Sequence, residues 1–146
     1  MSTSARRDGD SWVVTGQKVW TSLAHVADWC FALVRTQPGS QRHKGLSYLL
    51  VPMRQDGVEV RPIRQLTGTS EFNEVFFDGA RTEAGCLVGE EGQGWRVAMA
   101  TLGFERGVST VGQQVGFRRE LEQLVALARS NGTIDDPVIR EKLTSA

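Results

Sequence analysis

The stretch Gly16-Gln17-Lys18-Val19-Trp20-Thr21-Ser22 decides how the rest of this chain is read. Val13 and Val14 lead into it with β-branched side chains, and from Val19 to Ser22 bulky apolar and hydroxylic residues alternate. The pattern predicts a strand that ends in a polar edge. That edge offers an indole, two hydroxyls and neighbouring backbone N–H groups. Such a set suits a flat heteroaromatic ligand rich in acceptors, with Trp20 over a ring face and Thr21 and Ser22 at its rim. The same residues also describe an ordinary half-buried strand with one core tryptophan, and spacing alone does not separate the two.

Outward from this stretch, turn signals cut the chain into short strands. Met1 to Arg7 is polar and aperiodic and is expected to fray. Asp8-Gly9-Asp10 turns the chain into Ser11–Thr15, which continues through Gly16 to Trp20. Asp28 to Thr36 has a continuous apolar core, and Gln37 to Lys44, with Pro, Gly and Ser, reads as an exposed loop. Gly45 to Pro52 is a further strand. Val58 to Ile63 follows the turn at Gln55-Asp56-Gly57 with period-two alternation, and Ser70 to Phe77 closes the series. Short strands between turns predict an antiparallel sandwich or open barrel; no glycine-rich phosphate loop of the βαβ kind is present.

After Gly89-Glu90-Glu91-Gly92-Gln93-Gly94 the period changes. From Trp95 to about Arg129 there is no proline, and Val97, Thr101, Phe104, Val108, Val111 and Val115 recur at helical spacing. Leu121, Leu124, Val125 and Ala128 extend the stripe of one long helix. Asn131-Gly132 stops it, and Asp136 before Pro137 looks like the cap of a second helix, whose Ile139 and Leu143 would face a partner. The expected class is therefore α+β: a β domain over residues 1–88, then a helical domain over residues 89–146, cut off as a truncated bundle.

Composition narrows the function classes. Seventeen basic and seventeen acidic residues cancel, so there is no global basic field for nucleic acid. No apolar run is long enough to cross a bilayer and Met1–Trp12 lacks a hydrophobic signal region, so a cytoplasmic location is expected. Cys30 and Cys86 do not suggest a metal site or disulfide framework, and Cys30 reads as a small buried hydrophobe. His25 and His43 have no partner spacing that implies a metal or a triad.

Four segments in order carry a resemblance: GQKVWTSLAHVADWCFALVRT, KGLSYLLVPM, GVEVRPIRQLTGTSEFNEVFFDG and LVGEEGQGWRVAMATLGFERG. Together they run from about Asp8 to Phe117 and resemble the middle β domain and the first C-terminal helix of the acyl-CoA dehydrogenases. The resemblance implies FAD as cofactor, an acyl-CoA thioester as substrate, electron-transfer flavoprotein or a similar acceptor, and a homo- or hetero-oligomer. It also implies that this chain is a fragment. The family's helical N-terminal domain and its Glu-Pro…Gly-Ser-Asp stretch are not in it, and the terminal bundle is only begun. An acyl-CoA oxidase, another flavoenzyme on the same scaffold, or a non-catalytic subunit would look the same over this length.

The family reaction removes the hydrogens on Cα and Cβ of the thioester, a carboxylate taking the α-proton. The thioester proton is a very weak acid, so such a site must polarise the carbonyl and desolvate its base. The resemblance places Trp20 against the flavin, with Thr21 and Ser22 near its pyrimidine edge. It gives Ser47 a contact with the CoA portion, against the alternative of a solvent-facing strand hydroxyl. Glu105, directly before Arg106, matches one of two positions at which the family carries its catalytic glutamate, the other lying far downstream. Arg106 matches an arginine that contacts CoA, but Gly103 stands where some members carry an Asp, which weakens that part of the contact. On a helix Glu105, Ser109, Gly112 and Gly116 share one face, which leaves either a shallow trough for an acyl tail or a bed for another helix.

Overall fold

The computed structural model describes residues 2–145, without the side chains of Val108 and Ser109. The chain divides into two compact units, Met1–Ala100 and Thr101–Ala146.

The first unit is one six-stranded sheet. Its strands are β1 (Ser4–Asp8), β2 (Ser11–Ser22), β3 (Trp29–Arg35), β4 (Leu46–Pro52), β5 (Val58–Ile63) and β6 (Phe72–Glu83), in the order β4-β3-β1-β2-β6-β5. Neighbours run antiparallel except β1 and β3, which meet in parallel through Ser4 and Arg35. The sheet curls until β6 comes against β4: the Thr82 hydroxyl donates to the Leu50 carbonyl, and the Val88 N–H donates to Tyr48. Inside the curl lie Trp12, Val14, Val34, Leu49, Val51, Val75 and Phe77, all buried. This is the apolar face that the alternation predicts.

Two expectations change. Thr3 to Arg7 of the N-terminal segment are not frayed, because Ser4–Asp8 forms a strand between β2 and β3; Met1 lies outside the described residues. Thr3 ties it down: its hydroxyl donates to the Gln17 carbonyl and its own carbonyl accepts the Arg35 N–H. A Cβ on Gly16 would come within 2.6 Å of the Thr3 Cα, and Gly16 holds φ at +137°, so only glycine lets the two backbones approach. The last strand also runs six residues beyond Phe77, to Glu83. At Gly79 (φ +74°) β6 accommodates an extra residue opposite Val14 and Thr15, then resumes alternation with Ala80 and Thr82 buried.

A long helix α1 (Gly94–Ser130) follows, then α2 (Pro137–Ser145). The first turn of α1 belongs to the β unit and is seated on β4. A Cβ at Gly94 would lie 2.4 Å from the Ser47 carbonyl carbon, and the Gly92 N–H donates to the Ser47 hydroxyl at 2.9 Å. In the second unit Gly132, at φ +77°, ends the long helical run, and the Asp136 carboxylate caps α2 by accepting the Val138 N–H at 2.8 Å. Ala128 is buried there, with Ile134, Ile139 and Leu143 half-buried.

Candidate functional site

β2 leaves its regular pairing just before its polar end. Lys18 pairs with Val75 and Thr21 with Asn73, so Val19 and Trp20 together oppose Glu74. This is a β-bulge, a device that re-aims side chains at a sheet end. Trp20 occupies the left-handed region at φ +60°, which costs a non-glycine residue about 1–2 kcal/mol. Its side chain is not a core residue: Trp20 is 63% exposed. Phe72 meets the indole edge-on at 6.0 Å between centroids, fixing one side and leaving the rest of the ring open. Thr21 is half-buried beside it and Ser22 is exposed.

The backbone beyond the bulge is held from the start of β6 and from Glu71 just before it. Leu23, also left-handed at φ +55°, donates its N–H to the Glu71 carbonyl at 2.8 Å. Asn73, fully buried, donates through Nδ2 to the Thr21 carbonyl at 3.0 Å and the Glu71 carbonyl at 3.2 Å. Sequence reading did not single out Asn73 or the bulge. Bulges carry no periodic signature; the one hint was a polar Asn at an inward position between Phe72 and Val75.

Lys18, one step before the bulge, is partly buried and donates Nζ to the Leu33 carbonyl. Burial lowers its pKa. Burial likewise pushes the Cys30 thiol up to about 11, against the opposing pull of the Lys18 charge. Cys30 packs against the core as expected of a small hydrophobe, but it is half-buried rather than buried.

Ser47 is not the solvent-facing hydroxyl that one reading allowed. It is 0% exposed, partners the Thr36 hydroxyl at 2.8 Å and accepts the Gly92 N–H. In the second unit Glu105 and Arg106 are exposed on α1. A Cβ at Gly103, Gly107, Gly112 or Gly116 would meet nothing within 4 Å, whereas the Ser109 side chain of the expected shared face lies outside the described residues. The structure thus brings Trp20, Thr21 and Ser22 together with Phe72 and Asn73, and sets Glu105 beside Arg106.

Comparison with known proteins covers the whole chain. The sequence model of the acyl-CoA dehydrogenase middle domain matches residues 1–80, and that of the acyl-CoA dehydrogenase C-terminal domain matches residues 92–146. The chain is 66% identical over 146 residues to acyl-CoA dehydrogenase IpdE1 of Mycobacterium tuberculosis; the match takes in 100% of this chain and 38% of that protein. Among solved structures, a steroid ACAD, Tcur3481-Tcur3483, superposes with a TM-score of 0.79 at 34% identity, over 99% of this chain and 37% of that one. The prolyl acyl carrier protein oxidase AnaB superposes with a TM-score of 0.75 at 26% identity, over 89% of this chain and 35% of that one.

Proposed function

Since this chain belongs to the acyl-CoA dehydrogenase family, we propose that it is the middle portion of an FAD-dependent enzyme that oxidises the Cα–Cβ bond of an acyl-CoA thioester. The observation that carries the reading is the indole of Trp20, presented to solvent from a strained bulge rather than packed in the core. Strain at such a position persists where the local geometry serves a site. The exposed indole, followed in the chain by Thr21 and Ser22, suits an isoalloxazine: Trp20 would cover a ring face and the two hydroxyls would donate to its acceptors. Flavin, when bound, supplies the two-electron acceptor for the hydride that leaves Cβ.

Glu105 is the proposed base. One of its carboxylate oxygens takes the α-proton as the Cα–H bond breaks, and Arg106 contacts the CoA portion. Gly112 and Gly116, which share the Glu105 face of α1, would meet nothing within 4 Å with an added Cβ, which supports the acyl-trough reading of this helix face. The kinship with a steroid ACAD favours a ring-bearing acyl group over a straight chain. A β domain over residues 1–88 and a helical domain from residue 89 onward, a cytoplasmic location, an electron-transfer flavoprotein as acceptor and an oligomeric whole protein complete the proposal. No helix among the described residues is long and apolar enough to cross a membrane.

The test is Glu105→Gln in the full-length enzyme. Flavin content should be unchanged and turnover should fall by roughly 10²–10⁴-fold, the usual contribution of general base catalysis. Undiminished turnover would place the base elsewhere in the protein. The likeness to AnaB keeps an oxidase as the second reading: oxygen consumption matching product formation, with no gain from an artificial electron acceptor, would favour it. A colourless protein inert to acyl-CoA would instead mark a non-catalytic subunit.

A further inference from the structure

Two left-handed non-glycine residues, Trp20 and Leu23, stand three apart at the end of β2, and something must hold them there. Asn73 of β6 and Glu71, the residue just before that strand, hold this segment by hydrogen bonds. The Glu71 carbonyl takes the Leu23 N–H and one N–H of Asn73, while the Thr21 carbonyl takes the other at 3.0 Å. The His25 Nδ1 lies a further 3.4 Å from the same nitrogen and can accept only with its proton on Nε2. Asn73 is buried, and its Oδ1 has no partner among the described residues. An orphaned buried carbonyl oxygen is unfavourable, so a residue placed there only to fill space would be apolar. What distinguishes Asn here is its pair of amide donors.

We infer that Asn73 is a positioning residue: its amide nitrogen clamps the Thr21 and Glu71 carbonyls and so keeps the bulge, and with it the indole of Trp20, in the presented geometry. The consequence for cofactor binding rests on the flavin reading above; the clamp itself does not. Asp at this position keeps the shape but loses both donors, and Leu keeps the volume without polarity.

The experiment uses the full-length protein with Asn73→Asp and Asn73→Leu, stripped of flavin. Hydrogen exchange at the Leu23 amide should quicken by roughly tenfold, the scale of one lost hydrogen bond, while peptides from β3 and β4 keep their protection. On reconstitution, flavin affinity should weaken by a similar factor. Unchanged exchange at Leu23 in both variants would overturn the inference. Faster exchange with unaltered flavin affinity would uphold the clamp and remove the flavin from this edge. Should Asn73→Asp fail to fold, Trp20→Asn decides, since Asn enters the left-handed region readily. If the amide holds a strained Trp20, the double variant recovers folded protein; if it recovers none, the clamp is wrong.

Discussion

The β unit and the helical unit treat the same kinds of side chain in opposite ways. In the first, Val14, Val34, Leu49 and Val51 are wholly enclosed. In the second, Phe104 is 75% exposed, and Val111, Val115, Phe117, Leu124 and Leu127 are all open. A curled sheet closes over its own apolar face, whereas a helix with apolar residues on several sides needs several neighbours. The difference teaches where stability resides within these residues: the β unit carries its own core, and α1 beyond Ala100 leaves most of its apolar side chains open.

The sharpest way to break this contrast is a matched pair of truncations. Leu49→Ala should cost about 2–5 kcal/mol by chemical denaturation, as expected for a filled core site. Leu124→Ala in the same chain should change stability by no more than about 0.5 kcal/mol. Equal costs would mean that α1 is packed as tightly as the sheet. Next comes the seam where helix and sheet meet. Ser47→Ala leaves the Gly92 N–H and the Thr36 hydroxyl without their shared partner and should cost about 1–3 kcal/mol. Read by the denaturation midpoint, a neutral result would show that the first turn of α1 is not pinned to β4.

The smallest effect concerns the Cys30 thiol. Its pKa stands raised in the folded chain, from an ordinary 9.0 to about 11. The unfolded thiol therefore ionises first, so this contribution to stability is intact below pH 9 and fades as pH climbs toward 11. Alkylation of Cys30 in the folded protein should stay slow at pH 8 and accelerate only in that upper window. Rapid labelling at pH 8 would show that the β unit opens there.

Where the sequence spoke through periodicity, it was legible. Val58–Ile63 is recovered to the residue, and the cap at Asp136 and the stop at Gly132 stand where side-chain chemistry placed them. β1 escaped notice because Ser-Ala-Arg-Arg-Asp offers one buried side chain, Ala5, and no alternation of apolar residues. Its place in the sheet comes from backbone pairing and from Thr3, a long-range matter that local pattern does not encode. At the site, the composition of the Trp20–Ser22 edge was readable, but its geometry was not. The bulge depends on a register offset against β6, fifty residues downstream. Ser47 shows the same limit: a serine in a strand says nothing of a hydroxyl consumed by a distant glycine turn.

The left-handed backbone at Trp20 sets two demands on one position against each other. Glycine or asparagine would relax the main chain there, yet neither brings an aromatic plane. Directed evolution for thermal endurance alone should therefore drift away from tryptophan at residue 20 and trade ligand contact for robustness, so the persistence of an indole under such pressure would itself report selection for what the ring touches.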